Sequence, residues 1–489
     1  MTDLSVAPVT VKFPHRSRRG ILLGLSLPQL VLVSCTLALL LMTVVSTGLL
    51  GALALTPLWA ASGALIAIRR HGRSLIDWAP IVARYAHRRR TGQTLWLARP
   101  VTRPRQDGIL HLPGTTASLK MVTPGDSANG AAAVHDPHQQ TLTAIARVSS
   151  RAFALLDPAA QNRNVGSWGR ALAGIARTGH IATVQVLERT VPDSGDALSR
   201  HWNQNGQPQT PAGQIYSELV ASAGPAAAPH ETYLAISLDL KAARRLISQA
   251  GGGLPGAFTV MEQTTASIAQ AARNAGLRVT GWLTSREIAA VIRTAYDPGA
   301  LAALQQWSET GRAEADPAAA GPVVQVEEYD RLTTDSARHA TYWVENWPRT
   351  EMGAGFLHGI MFTAGVRRSL SLIYVPQGLE SALRDVQRKK AAIIADANER
   401  ARRGQVDAEE DSVEYADVKM RERQLIAGHA DVALTGLVTV TAETDALLDA
   451  ACAQIETHAV TSGVDLRRLN YQQPDAFALT ALPLARTAL

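Results

Sequence analysis

The first motif whose residue types suggest chemistry is a run of glycines. Residues 251–256 match Gly-x-Gly-x-x-Gly, but a dinucleotide site needs a strand before such a run and a helix that opens at its end. Here residues 241–250 are predicted to be helical, and Pro255 distorts the turn. The run therefore predicts a flexible connection and no nucleotide site.

The second motif is a pair of histidines. His135 and His138 flank Asp136-Pro137, a spacing that could ligate a metal. No further Cys or His pair stands nearby in the sequence to complete a coordination shell. Two histidines across a tight turn are more often surface residues, so the sequence favours a turn over a metal centre.

Other signatures of catalysis are missing. The sequence contains no Gly-x-x-x-x-Gly-Lys-Ser/Thr loop, no Gly-x-Ser-x-Gly elbow and no His-Glu-x-x-His helix. The two cysteines, Cys35 and Cys452, are too few for a disulfide framework or a Cys-based zinc site. We therefore predict no catalytic residue, no cofactor and no metal, and expect that the protein is not an enzyme.

Positive charge is concentrated around one apolar block. The net charge is +6, but residues 11–19 and 69–105 hold +4 and +9, so the rest of the chain carries −7. Clustered arginines beside a membrane segment attract anionic lipid headgroups, whereas a nucleic-acid groove or a solvated face would explain them less well. Trp78, Tyr85 and Trp96 accompany them. The predicted membrane-surface residues are Arg69, Arg70, Arg73, Arg84, Arg88, Arg89 and Arg90.

The apolar block itself predicts two membrane spans. No charged residue occurs in the 48 positions 21–68, about twice the ~20 residues that one spanning helix needs. The break is predicted at residues 46–48, between spans near 29–45 and 49–68. Arginines precede and follow the pair, so both chain ends are expected in the cytoplasm and the protein in the inner membrane. A twin-arginine export signal is disfavoured because the block is too long and a basic flank follows it.

The order of the remaining elements predicts an α+β region with mixed or antiparallel sheets and helices packed on them. The predicted parts are a tail (1–20), the transmembrane hairpin (21–68), a basic juxtamembrane connection (69–130), a first lobe (131–310), a linker (311–322) and a second lobe (323–489). The predicted strands are 108–112, 118–122, 131–134, 141–148, 181–189, 232–240, 277–283, 323–328, 340–344, 369–375, 434–440 and 466–469. The predicted helices are 158–177, 213–223, 258–275, 286–295, 379–403, 412–428 and 443–457.

The charged stretch 379–428 predicts a projecting helical hairpin with a turn at residues 402–405. Its alternating charges are typical of a solvated face with i,i+4 pairs, but the hairpin is also a candidate arm for binding a partner. The candidate partner-binding residues are Arg384, Arg388, Lys389, Arg400 and Arg421.

Several segments together resemble known families. The stretch 19–30 with a two-helix hairpin is similar to small membrane proteins of Gram-positive conjugation systems. The cytoplasmic part resembles the N-terminal, non-ATPase domain of type IV secretion conjugation ATPases. The motifs of that second likeness are Phe153–Gln161 with Val184–Val186, Thr341–Val344 with Trp347–Arg349, the hairpin through Asp411 and Arg421, and Leu466–Leu469 with Phe477 and Leu482–Leu484.

This combination is similar to an actinobacterial integral-membrane family of conjugative gene clusters, also labelled an E-subunit-like component of type VII secretion. The chain stops at Leu489, about where the motor domain would begin, so the resemblance implies a scaffold that docks against a separate ATPase. It implies other membrane components as partners and an oligomeric complex. The rival is a membrane-anchored enzyme acting on lipid-linked or headgroup substrates. Direct DNA binding is disfavoured by the −7 balance.

Overall fold

The computed structural model describes residues 10–11, 13, 27–70, 73–98, 108–124, 130–150, 153–191, 202, 205–207, 209–223, 229–301, 303–304, 316–348, 350–402 and 409–487. The chain divides into two compact units. The helical unit comprises His15–Thr94 and Asn470–Gln472, and the sheet unit comprises Met1–Pro14, Leu95–Leu469 and Gln473–Leu489. Most of the predicted tail, half of the predicted linker and the turn of the predicted hairpin lie outside the described residues.

The helical unit begins with two apolar helices, α1 (Leu27–Ala54) and α2 (Thr56–Ala67). Gly48 interrupts α1 with non-helical angles, φ 71° and ψ −166°, at one of the three residues where the sequence predicts the break. In the described part of the chain, Pro28–Gly48 is the one helix that is long and apolar enough to cross a membrane, and α2 is a shorter apolar helix. A two-residue ladder, β2 (Arg69–Arg70) with β3 (Arg73–Ser74), then leads into α3 (Leu75–Arg90).

The sheet unit contains a sheet of thirteen strands in which the named pairings are antiparallel. Outside it, β1 (Thr10–Val11) pairs with β14 (Met352–Gly353). The strands of the thirteen-stranded sheet are β4 (Leu95–Leu97), β5 (Lys120–Val122), β6 (Ala133–Asp136), β7 (Thr141–Ser150), β8 (Ile181–Thr190), β9 (His230–Asp239), β10 (Leu277–Trp282), β11 (Val324–Glu327), β12 (Leu332–Thr334), β13 (Arg338–Asn346), β15 (Arg367–Gln377), β16 (Asp431–Ala442) and β17 (Asp465–Arg468).

In the part of the chain that the structure describes, ten helices accompany these strands. They are α4 (Pro158–Thr178), α5 (Pro211–Ala223), α6 (Arg244–Gln249), α7 (Gly253–Asn274), α8 (Ser285–Tyr296), α9 (His358–Met361), α10 (Leu379–Arg402), α11 (Glu409–Ile426), α12 (Asp445–Thr461) and α13 (Gln473–Ala481).

The strand order shows an internal repeat. From one edge the sheet runs β5-β6-β7-β9-β8, and after β4 at the other edge it runs β11-β12-β13-β16-β15. In each half the sixth strand pairs with the third, β10 with β7 and β17 with β13, and a helix follows, α8 or α13. Because β8 and β15 pair antiparallel in the middle, the halves are related by a pseudo-two-fold axis. We call them repeat 1 (β5 to α8) and repeat 2 (β11 to α13).

Each repeat carries an insertion between its fourth and fifth strands. Repeat 1 inserts the segment with α5 between β8 and β9, and repeat 2 inserts α10 and α11 between β15 and β16. The predicted projecting hairpin is therefore the counterpart of the α5 segment. Strands of both predicted lobes belong to one sheet, and the domain boundaries drawn from the sequence stay a prediction.

Helices cover both faces of the sheet. Because side chains alternate along a strand, the two faces carry separate cores. On one face, Val184 lies in a core with Phe258 and Ile268 of α7. On the same face of repeat 2, a second core includes Val440 of β16 and Ile455 of α12. On the other face Leu187 lies in a core with residues of α8 and α13. The near-continuous burial of β8 follows from this two-sided cover.

Local signals in the sequence set several helix ends. Asp157 caps α4 by accepting from the amide of Ala160, and Gly179 ends it in the left-handed region at φ 72°. Thr284 and Glu287 form a capping box at the start of α8. These side chains satisfy the free amides of each first turn, which explains why the predicted bounds 158–177 and 286–295 are nearly correct.

The C-terminal tail is part of the interior. Leu482 and Leu484 are buried beside α8, and the Nε of the partly buried Arg486 donates to Asp136 at 3.0 Å. The side-chain Nε2 of Gln185 donates to the backbone carbonyls of Leu479 and Leu482. The tail therefore ties the end of repeat 2 to strands of repeat 1.

The α+β class predicted from the sequence is confirmed. The predicted strand 108–112 is wrong, since it contains only a bridge between Ile109 and Lys120; Gly108, at φ 77°, precedes it. The sequence also did not predict α13, whose residues Phe477 and Ala478 are core. A helix buried on most sides lacks the amphipathic period on which such a prediction depends.

Candidate membrane and partner surfaces

Helix α3 separates apolar from basic side chains. Trp78, Ile81 and Tyr85 are buried on one face, at the i, i+3, i+7 spacing of a helix stripe. Arg84, Arg89 and Arg90 are exposed. The basic last turn also suits the negative end of the helix dipole.

Arg88 differs from its neighbours because it is engaged inside the helical unit. Its Nη2 donates to the carbonyl of Tyr471 at 3.1 Å. The rings of Trp78 and Tyr85 pack on the Tyr471 ring at centroid distances of 6.2 and 5.2 Å. These two aromatic residues thus face protein, and the interpretation that they lie against lipid headgroups is wrong.

The remaining predicted membrane-surface residues lie in the β2–β3 hairpin directly after α2. Arg69 is exposed and pairs by backbone with Ser74, and Arg70 pairs with Arg73. The side chains of Arg70 and Arg73 lie outside the described residues. Trp96 is elsewhere, on β4 opposite Gln325.

This arrangement predicts which arginines bind anionic lipid. For a variant lacking residues 1–71, we expect replacement of Arg84, Arg89 and Arg90 by Gln to weaken binding to anionic liposomes about 100-fold at low salt, since each basic residue contributes ~1 kcal/mol near such a surface. Liposome flotation at increasing ionic strength measures this loss of binding. Arg88→Gln is the matched control and should bind anionic liposomes nearly as tightly as the protein without this substitution, because the Arg88 side chain is hydrogen-bonded to the carbonyl of Tyr471. Salt-independent binding would contradict the prediction.

The helical hairpin has its own small core. Val386 and Ile393 of α10 pack with Val418 and Leu425 of α11. Across the helices Lys390 pairs with Glu422 at 2.8 Å. These contacts are internal to the hairpin, so it is a self-contained projection from β15 and β16.

The predicted partner-binding residues fall into two classes. Arg421 has a structural role, because its guanidinium binds Asp385 of α10 at 3.1 Å and also Asp431 at the start of β16. Lys389 pairs with Asp385 at 3.2 Å but is exposed. Arg384 and Arg388 are exposed on the same face of α10. The side chain of Arg400 lies outside the described residues.

Sequence reasoning missed an apolar stripe on α11. Val413 and Met420 are 50% and 47% exposed, and Ala416 lies between them on the same face at helical spacing. Large apolar side chains exposed in a row mark interaction sites more often than scattered ones do. The hairpin therefore presents both basic and apolar side chains to a partner.

A groove of about 820 Å³ lies between α4 and α7, with α6 at one end. Its described lining residues include one charged side chain, Arg170, together with His180 and no carboxylate. Residues of small volume dominate it, such as Gly174, Ser267 and Ala271. Among its described lining residues, no carboxylate accompanies His180 to form an acid–base pair.

The two motifs with potential chemistry have structural roles. Gly251, Gly252 and Gly253 have φ between 60° and 104°, a backbone region that glycine adopts more readily than other residues, and they lie where α6 connects to α7. Asp136 Oδ1 accepts from the amides of His138 and Gln139, closing a turn. Within the described ranges, no three His, Cys, Asp or Glu side chains are grouped to hold a metal ion.

A buried charged group lies where the repeats meet. Glu188 of β8 is hydrogen-bonded to His230 of β9, and burial raises the pKa of its carboxyl while the bond to His230 opposes this. Arg368 of β15 is 2% exposed and its Nη1 donates to the carbonyls of Thr363 and Val366. Arg368 therefore holds the loop after α9 against the sheet.

Comparison with known proteins gives one family match. Residues 226–344 match the family model EccE, described as "Putative type VII ESX secretion system translocon, EccE". No curated protein matches the chain. The matched range runs from the end of the α5 insertion through β13, about a quarter of the chain. The similarity supports the E-subunit-like label of type VII secretion, and it spans the junction between the two repeats.

Proposed function

We propose that the protein is a structural membrane component of a type VII secretion translocon, anchored by a two-span hairpin and carrying no catalytic activity of its own. The observation that supports the translocon assignment is the EccE match over residues 226–344. The apolar helix Pro28–Gly48 supports a membrane location. The second span is formed by the rest of α1 and by α2.

The pairing of β1 with β14 supports an even number of crossings. Thr10 and Val11, before the apolar helices, form a ladder with Gly353 and Met352 of the sheet unit. The chain from Leu95 onward belongs to the same unit. Both ends of the membrane segment therefore lie on one side, and the exposed arginines of α3 favour the cytoplasmic side.

The projecting hairpin α10–α11 is the surface on which we propose that a separate ATPase docks. Support comes from its self-contained core, from exposed Arg384 and Arg388, and from the stripe with Val413 and Met420. Energy for transport is then supplied by the partner. The rival, a membrane-anchored enzyme, is less favoured because the groove between α4 and α7 is lined by no carboxylate among its described residues.

Deleting the hairpin tests this docking. Gln377 and Asp431 are cross-strand neighbours, so a short Gly-Ser turn can replace residues 379–428 while β15 and β16 stay paired. We expect the variant to insert and fold but to lose co-purification of an ATPase from native membranes and to lose secretion. Retention of both would contradict the proposal, as would ATP hydrolysis by the protein alone.

A double charge reversal separates docking from folding. Arg384→Glu with Arg388→Glu should reduce ATPase co-purification about tenfold or more without changing the melting temperature, since both side chains are exposed. The matched control is Arg244→Glu with Arg245→Glu, an equally exposed basic pair on α6. If the control variant loses the ATPase to the same extent, the contact surface is elsewhere.

A further inference from the structure

Residues near the N-terminus occupy a defined place on repeat 2. Thr10 and Val11 pair antiparallel with β14. The ring of Phe13 stacks on Trp347 at a centroid distance of 4.8 Å and 18° between planes, and meets the edge of Phe356 at 5.6 Å. We call Thr10, Val11 and Phe13 the N-terminal arm, and β14 with Trp347 and Phe356 the aromatic slot.

The aromatic slot is built into the fold of repeat 2. Trp347 and Phe356 pack on the core that contains Val440 and Ile455. A Cβ added at Gly436 of β16 would lie 2.8 Å from Cζ2 of Trp347, so glycine at this position leaves room for the indole. The slot therefore has a rigid wall that the fold of repeat 2 provides. A chance contact of a chain end would not need such a wall.

The slot lies at a connection where the two repeats differ. In repeat 1 the third and fourth strands are connected through α4, a helix of 21 residues. In the described residues of the corresponding connection in repeat 2, the elements are β14 and α9, a helix of four residues. Repeat 2 thus lacks the long helix at this point, and the N-terminal arm contacts the connection that remains.

We propose that the aromatic slot is a binding site for an extended peptide, and that the N-terminal arm of the same chain fills it. Recognition combines a two-residue strand addition to β14 with an aromatic ring two residues further along the peptide. The arm holds the chain at Phe13, and β4 holds it again at Leu95 by pairing with β11. Residues before and after the apolar segment therefore both pair with strands of the sheet unit.

A disulfide tests whether the arm docks within one chain. Val11 and Met352 are direct cross-strand partners, and Cα atoms of such pairs are about 4.5–5.5 Å apart, within the range that a disulfide spans. In full-length protein with Cys35→Ala and Cys452→Ala, we expect Val11→Cys with Met352→Cys to cross-link in mild oxidant. Val11→Cys with Val460→Cys, on an exposed position of α12, is the control pair and should not.

Two outcomes would overturn this assignment. One is a cross-link yield no higher than that of the control pair. The other is a cross-link that joins differently tagged copies mixed before oxidation, which would place the arm on a neighbouring chain.

A peptide competition tests the slot in protein that keeps its native cysteines. A fluorescent peptide of residues 7–16 should bind full-length Phe13→Ala protein about tenfold tighter than intact protein, because the native arm blocks the slot. The same peptide with alanine in place of its phenylalanine should bind the variant about tenfold more weakly. Equal binding to variant and intact protein, or no binding to either, would overturn the proposal. Neither outcome bears on ATPase docking by α10–α11, so the two hypotheses fail separately.

Discussion

Replacing Gln185 by leucine should lower the free energy of unfolding of the sheet unit by about 3 kcal/mol or more. The two N–H groups of its Nε2 are shared among Ser371 Oγ and the carbonyls of Leu479 and Leu482, and its Oε1 accepts from the backbone amide of Ala485 at 2.7 Å. Gln185 is 1% exposed, so leucine removes the partner of the Ala485 amide and of the Leu479 carbonyl, whereas the Leu482 carbonyl still accepts from the amide of Leu484. Each such group costs about 1–3 kcal/mol.

Chemical denaturation of the full-length protein in detergent measures the loss. Gln387→Leu is the matched control, since Gln387 is exposed on α10 and surface substitutions change stability by about 0.5 kcal/mol or less. The variant should also expose residues 482–487 to proteolysis, because Gln185 anchors this tail. A Gln185→Leu protein as stable as the control would mean that the tail is held by apolar packing and by the Arg486–Asp136 pair, with no net contribution from Gln185.

The sequence predicted most strands of the sheet because their apolar residues alternate with turn signals. It could not predict how the strands pair. The β8–β15 contact joins segments almost 190 residues apart, and no local pattern encodes such a partner. The repeat was also hidden, since its halves carry insertions of different kinds and the α4 of repeat 1 has no long helix opposite it in repeat 2.

The candidate surfaces were predictable to the extent that they depend on charge. Runs of arginine identified the basic segment after the apolar block but not its helix α3, and alternating charges identified the hairpin α10–α11. Which charged groups are free depends on tertiary contacts: Arg421 faces Asp431, and Arg88 binds Tyr471, 383 residues away. The sequence likewise gave no sign that Phe13 lies on Trp347, because a single aromatic residue in a short arm has no periodic pattern.

The largest pH effect should come from His339, which is fully buried on β13. Thr334 donates its hydroxyl proton to the carbonyl of Tyr296, so the Nε2–H of His339 donates to Thr334 Oγ1, and Nδ1 accepts from Thr441 Oγ1 at 2.9 Å. Burial, with the nearby positive charge of Arg367, lowers the pKa of His339 to about 3. The imidazole is therefore neutral in the folded protein at physiological pH.

A histidine with a depressed pKa destabilises the fold in acid, because the unfolded chain binds the proton first. Stability from His339 is fully present above pH 6.5 and is lost as the pH falls from 6.5 towards 3. At about 1.4 kcal/mol per pKa unit, the loss reaches about 4–5 kcal/mol. We expect His339→Gln to be somewhat less stable than wild type at pH 7 but to lose less stability on acidification.

Urea denaturation between pH 7.5 and 4 measures this difference in slope. His429→Gln is the matched control, since His429 is exposed after α11, and it should keep the wild-type acid dependence. Carboxylates also titrate in this range, but they are common to all three proteins, so the difference between His339→Gln and wild type isolates one imidazole. If the two curves run parallel down to pH 4, His339 is hydrated or mobile enough to accept a proton in the folded state, and its burial against Phe477 at 4.5 Å is not maintained in solution.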